Sequence, residues 1–190
     1  MRRTLVTGGD GFEAIDPMVF VDQRTGTPYL YAGGSAGSTL RVWELESDMM
    51  RVKRRVPVKT PRPFTEGAFM HVRNGVYYLS YSHGRFGHSD YSSHYATAPG
   101  PLGPWTYRGV LLSSDTRRKG PGHHSIARNP VNGDWIIAYH RWDRQAGAGP
   151  FRGTRVTAVQ RLEHDGRGLL RPIRMTDAAP PPAPIAAPAC

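Results

Sequence analysis

The sequence predicts an all-β protein built from repeated antiparallel sheets, and three observations predict it. Glycine and proline are dense, 22 and 17 of 190 residues, and they separate short apolar runs as turns separate strands. No stretch keeps a helical period of useful length. A loose unit also recurs: a polar leading residue, an apolar strand, a Gly/Asn turn and an aromatic-rich strand. The leading residues Asp16, Glu66 and His123 lie 50 and 57 residues apart, close to the roughly 40–50 residues of a four-stranded propeller blade. The first strand of each blade in a propeller lines the axis, so these three distant residues are expected at one common mouth.

Taken in order, residues 4–12 read as a strand and glycine loop, with Gly8, Gly11 and Ala14 spaced like a dinucleotide-binding phosphate loop. That motif needs a helix to follow. Pro17 and the strand-like Met18-Val19-Phe20-Val21 follow instead, and no βαβ alternation appears, so the nicotinamide reading is set aside. The first unit comprises residues 15–22, a turn at 23–27, residues 29–34 and a third run at 40–45. The second comprises 66–72, a turn at 73–75, then 76–82, 92–98 and 105–109. The third comprises 122–128, a turn at 129–133 and 135–140, followed by 154–162, a turn at 165–168 and 169–175. Asn-Gly at 74–75 and 132–133 are hairpin signals. The Ala/Pro-rich residues 177–190 cannot bury a core and are predicted to be an extended or disordered tail.

Net charge is +10, carried by clusters such as residues 51–55 and 117–119. These are expected in loops as a solvated basic surface; no nucleic-acid motif accompanies them, so no nucleic-acid partner is expected. The only cysteine is Cys190, which excludes a disulfide framework and a thiolate metal site. No apolar run approaches the ~18 residues of a membrane span. The N-terminus lacks the apolar core of a signal peptide. As written the chain is expected to be soluble and cytoplasmic, or extracellular if the true N-terminus lies upstream.

Glu66 carries the chemistry. It stands between a Pro/aromatic loop (Pro61-Arg62-Pro63-Phe64) and an apolar strand, where partial burial is expected to raise a carboxyl pKa, as a general acid near neutral pH requires. Alone it is an ordinary loop glutamate. Likewise Asp16 alone is an Asp-Pro turn, His123 and His124 are packed strand histidines, and Arg155 is a surface arginine. Two carboxylates and an imidazole around one pocket, however, suit acid–base work on a glycosidic bond. Inverting hydrolysis takes a protonated acid and a separate ionised base about 6.5–9.5 Å apart, and a third carboxylate holds the acid's pKa up by like-charge repulsion. Phe64, Tyr81 and Trp142 are expected to pack against sugar faces and Arg155 to bind hydroxyls.

Residues 14–20 with Asp16-Pro17, Thr65-Glu66-Gly67-Ala68-Phe69 before residues 77–82, and Gly120-Pro121-Gly122-His123-His124-Ser125 together resemble family 43 glycoside hydrolases. Tyr139-His140-Arg141 and residues 155–162 with Asp165-Gly166 continue the resemblance, which covers residues 14–176 in order. It implies a five-bladed β-propeller that hydrolyses α-L-arabinofuranosides, arabinans or β-xylosides with inversion and requires no cofactor. It implies Glu66 as general acid, Asp16 as modulator of its pKa, and Arg155 as a substrate ligand. His123 falls on a histidine that in some members lies beside an axial calcium or sodium ion. The family's general base is an Asp in a blade upstream of the Asp16 motif, and Asp10 stands in a Gly-rich segment unlike that strand.

The expectation is therefore a partial propeller of three to four blades over residues 14–176, with the first blade missing, residues 1–13 a remnant segment and the general base absent from this chain. Hydrolysis of arabinose- or xylose-containing polysaccharides is then expected to be weak or lost, and exposed sheet edges to favour self-association. The remaining alternative is a carbohydrate-binding fragment without catalysis.

Overall fold

The structure, a computed structural model, describes residues 4–35 and 37–178. These residues form eleven β-strands, and no helix occurs among them. The strands make three antiparallel meanders. The first contains β1 (Met18–Val21), β2 (Pro28–Ala32), β3 (Arg41–Leu45) and β4 (Val52–Val56). The second contains β5 (Glu66–Arg73), β6 (Val76–His83), β7 (Ser92–Ala98) and β8 (Thr106–Leu112). The third contains β9 (Arg118–Arg128), β10 (Trp135–Asp143) and β11 (Val156–Arg161). The leading strand of each sheet is its inner edge: β1 lies against β5, and β5 against β9. Three blades therefore stand side by side around one axis, as the residue spacing predicts.

Side-chain alternation builds the cores between blades. Met18 and Phe20 of β1 face the second blade and join Tyr31, Val42, Tyr77 and Leu79 in one cluster. Tyr78, the next residue on β6, points the other way and joins Tyr95, Ile126, Ile137 and Tyr139 in the cluster between the second and third blades. The turn at residues 74–75 is the predicted hairpin: Arg73 pairs with Val76, and Asn74 and Gly75 both have positive φ, 51° and 76°. That is the backbone a two-residue turn between twisted strands requires.

Three features depart from the expectations. Residues 51–55 are not a loop: they run into β4, the outermost strand of the first blade, where Lys53 and Arg54 each lie 2.7 Å from the buried Glu44 carboxylate. Long cationic side chains on an outer strand keep its edge from pairing with other chains. Arg118 and Lys119 are likewise strand residues, at the start of β9. Residues 169–175 form no strand; the isolated bridge from His164 to Leu170 is their one ladder contact, and the third blade has three strands.

The N-terminal segment packs onto the first blade. Phe12 lies 5.7 Å from Trp43 under the Arg41 guanidinium, in a third cluster with Leu30 and Leu45. At the other end Asp177 pairs with Arg118 and Arg141, each at 2.8 Å. The remainder of the predicted tail, from residue 179, lies outside the described residues.

Candidate functional site

Two of the inner strands are irregular at the same end of the propeller. On β5, Glu66 pairs with Ser82 and Phe69 with Ser80, so Gly67 and Ala68 share one partner position. This bulge, with Gly67 at φ 64°, turns the Gly67 N–H out of the ladder, and it donates to Asp16 Oδ2 at 3.1 Å. On β9, Gly122 pairs with His140 and Ser125 with Ala138, so His123 and His124 share one position. His123, at φ 44°, donates its N–H to Ser82 Oγ at 2.8 Å and turns its imidazole outward, with Nδ1 3.5 Å from Asp16 Oδ2. Asp16 also has positive φ, 53°, just before β1. Non-glycine residues in this region store of order 1–3 kcal/mol each, and such strain clusters at functional sites.

Asp16 thus ties the three blades together at the mouth, touching β5 through Gly67 and β9 through His123. Glu66 opens β5 beside this junction. It is 9% exposed, and the Tyr91 hydroxyl donates to its Oε1 at 2.5 Å. Burial first, and the Glu66 carboxylate second, push the Tyr91 phenol above its ordinary range, so it stays a proton donor. The Tyr91 ring lies parallel to His140 at 5.8 Å. Burial, with Arg155 and His123 nearby, pushes His140 down to about 4, so its ring is neutral at pH 7. His124 turns inward between Ser80 and Ser93, and burial pushes it down to about 3.

Two hollows meet at His123. One, of about 410 Å³, is lined by Asp16, Met18, Gly67, Phe69 and His123. The other, of about 520 Å³, is lined by His123, His140 and Arg155. Glu66 lines neither; its carboxylate is turned to Tyr91. The structure therefore brings Asp16, Glu66 and His123 together, with Arg155 across the second hollow.

Phe64 is a correction. It is 6% exposed and packs against Tyr81 at 5.6 Å in the core between the first two blades, so it presents no face to a sugar. Tyr81 and Trp142 are buried as well. The exposed aromatic near this end is Phe86, 58% exposed, with the Arg155 guanidinium 5.0 Å above its ring. Sequence reasoning missed Phe86, Tyr91 and the role of His140. Phe86 and Tyr91 stand in or beside the polar, glycine-rich connection between β6 and β7, where periodicity carries no information about facing.

The axial ion implied for His123 does not fit a protein cage here. Calcium takes about six to eight oxygen ligands. His123 and Asp16 offer one ring nitrogen and one carboxylate, and no group of three or more His, Cys, Asp or Glu converges among the described residues. No helix among them is long and apolar enough to cross a membrane.

Known proteins share this chain's sequence pattern and fold. Residues 4–169 match the glycosyl hydrolases family 43. The chain is 35% identical over 168 residues to a β-D-galactofuranosidase of Aspergillus niger, across 87% of this chain and 47% of that protein. It is 30% identical over 195 residues to a xylosidase/arabinosidase of Bacteroides ovatus, across 83% of this chain and 57% of that protein. The crystal structure of a thermostable family-43 glycoside hydrolase superposes with a TM-score of 0.75 at 27% identity, covering 95% of this chain and 64% of that one. The chain spans about half the length of the curated relatives it matches. A match over most of its residues, on blades in the same arrangement, means that this chain belongs to the glycosyl hydrolases family 43.

Proposed function

We propose that the chain hydrolyses O-glycosyl bonds in arabinose- or xylose-containing polysaccharides with inversion. Glu66 protonates the departing glycosidic oxygen, Asp16 holds the Gly67 peptide beside it, and Arg155 and His123 bind the sugar. The observation that carries this reading is the junction at Asp16, which joins Gly67 of β5 to His123 of β9 beside a glutamate held by Tyr91. Inverting hydrolysis also needs an ionised carboxylate to activate water. Asp16 is the only carboxylate lining either hollow among the described residues. This reading leaves the base unassigned among the described residues and expects slow turnover by the chain alone. No cation takes part in a step of this scheme.

The burial of Glu66 favours a second reading, a carbohydrate-binding propeller without catalysis. Nitrophenyl arabinofuranoside, xyloside and galactofuranoside assays, run beside calorimetry with arabino- and xylo-oligosaccharides, separate the two. The enzyme reading expects slow nitrophenol release that Glu66→Gln abolishes while oligosaccharide binding survives. Binding without release, unchanged by Glu66→Gln, would sink it. Exposed Val19 and Val21 on β1 and Val156 and Val159 on β11 support self-association through the end blades, which sedimentation at rising concentration tests.

A further inference from the structure

A third groove lies apart from the Asp16 junction, between the segment that follows β4 and the start of β8; it has a volume of about 340 Å³. One wall carries Lys59 and Arg62, both exposed and with no ion-pair partner among the described residues. The opposite wall carries Trp105 and Tyr107. Tyr107 is 45% exposed, yet its ring is not loose: its hydroxyl is 2.9 Å from His94 Nδ1, and Ser92 Oγ lies 3.0 Å from the other ring nitrogen. His94 is buried and its charged form is disfavoured, with its pKa pushed down to about 4 by burial and then by His83. It therefore holds the phenol as a neutral hydrogen-bond partner. Trp105 packs against the core between the first two blades, and the Arg62 carbonyl accepts from the Tyr81 hydroxyl at 3.3 Å. Both walls are thus anchored in the interior.

An anchored aromatic face opposite two unneutralised cations fits a flat, apolar-faced ring that carries an anionic group. We infer that this groove is a subsite for a uronic-acid residue of a polysaccharide, with the sugar face on Tyr107 and the carboxylate between Lys59 and Arg62. The choice of a sugar rests on the proposed glycosidase reading, whereas the demand for negative charge comes from the groove itself. The strand register sets Leu112, at the end of β8, on the Glu66 side of the second blade and Thr106 at the opposite end, so this subsite would hold an acidic branch at a distance from the mouth.

Calorimetry of the full chain with a glucuronic-acid-substituted xylo-oligosaccharide, and with the unsubstituted oligosaccharide of equal length, tests this. The acidic ligand should bind about three- to tenfold more tightly at low salt, the gain expected of two exposed charge pairs. The double variant Lys59→Ser/Arg62→Ser should remove that advantage. Tyr107→Ala should weaken binding of the acidic ligand, while Tyr107→Phe, which keeps the ring, should restore most of it. Glu66→Gln should leave the advantage intact, so loss of turnover and loss of this subsite are read separately. All these positions are exposed except Glu66, and thermal melts confirm that each variant is folded. Equal affinity for both oligosaccharides, or an advantage that survives the double variant, overturns the inference. Equally tight binding of a single-stranded DNA oligomer of the same charge would overturn the assignment to a sugar.

Discussion

At Glu66 the carboxylate is oriented by one phenol, and that phenol comes from a loop residue rather than from the inner strands. Tyr91→Phe keeps the ring against His140 and removes only the donated hydrogen bond. Hydrogen bonds to charged groups are worth about 1.5–3 kcal/mol. The variant should therefore lose roughly tenfold or more in kcat on aryl pentosides, with KM little changed. A kcat equal to wild type would remove Tyr91 from the site. Asp16 divides into two roles in the same way. Asp16→Asn retains an acceptor for the Gly67 N–H and should keep the melting temperature while turnover falls. Asp16→Ala leaves that N–H without its partner and should lose about 1–2 kcal/mol of stability as well, measured by denaturant unfolding.

At the scale of the strands, the two bulges decide what reaches the mouth, and their glycines differ in a testable way. A Cβ on Gly67 would meet Ser82 Oγ at 3.4 Å and His123 Cα at 3.6 Å, ordinary contacts, so Gly67→Ala bears mainly the strain of its positive φ, about 1–2 kcal/mol. A Cβ on Gly122 would fall 2.2 Å from the Tyr91 ring. Gly122→Ala must push that ring aside; it should cost about 1–3 kcal/mol and also unhook Glu66, so activity falls further than after Gly67→Ala. Wild-type melting and activity for Gly122→Ala would contradict this. The blade spacing of Asp16, Glu66 and His123 was legible in the sequence, as was the hairpin at residues 74–75, because spacing and turn chemistry survive in composition. The bulges were not, because an extra residue in a ladder changes which way side chains face without changing which residues are present. Phe64 was misread for a related reason: facing in the loop before a bulge has no periodic signature. Residues 51–55 were misread because an outer strand facing solvent has the charge of a loop.

For the molecule as a whole, acid is the predicted weakness. His71 and His124 are held near a pKa of about 3 and His94 near about 4, each chiefly by burial, against an ordinary 6.5. His71 sits between Tyr78 and Trp135 with both ring nitrogens unpartnered. The unfolded chain binds protons that these rings refuse in the folded state. Stability should therefore be full above about pH 6.5 and fall as pH drops toward 3, by up to about 1.4 kcal/mol per pH unit for each such histidine. Urea melts between pH 7 and 4 measure the slope, and His71→Phe should flatten it; an unchanged slope would rule His71 out as a contributor. The proton-donor role proposed for Glu66, where three blades converge, is read out by how strongly hydrolysis depends on the leaving group. Hydrolysis of a methyl pentoside, whose leaving group needs protonation, is compared with that of a dinitrophenyl pentoside, whose leaving group does not, in wild type and Glu66→Gln. Glu66→Gln should lose much activity on the methyl substrate and little on the dinitrophenyl substrate. Equal losses on both, or no loss on either, would contradict that role.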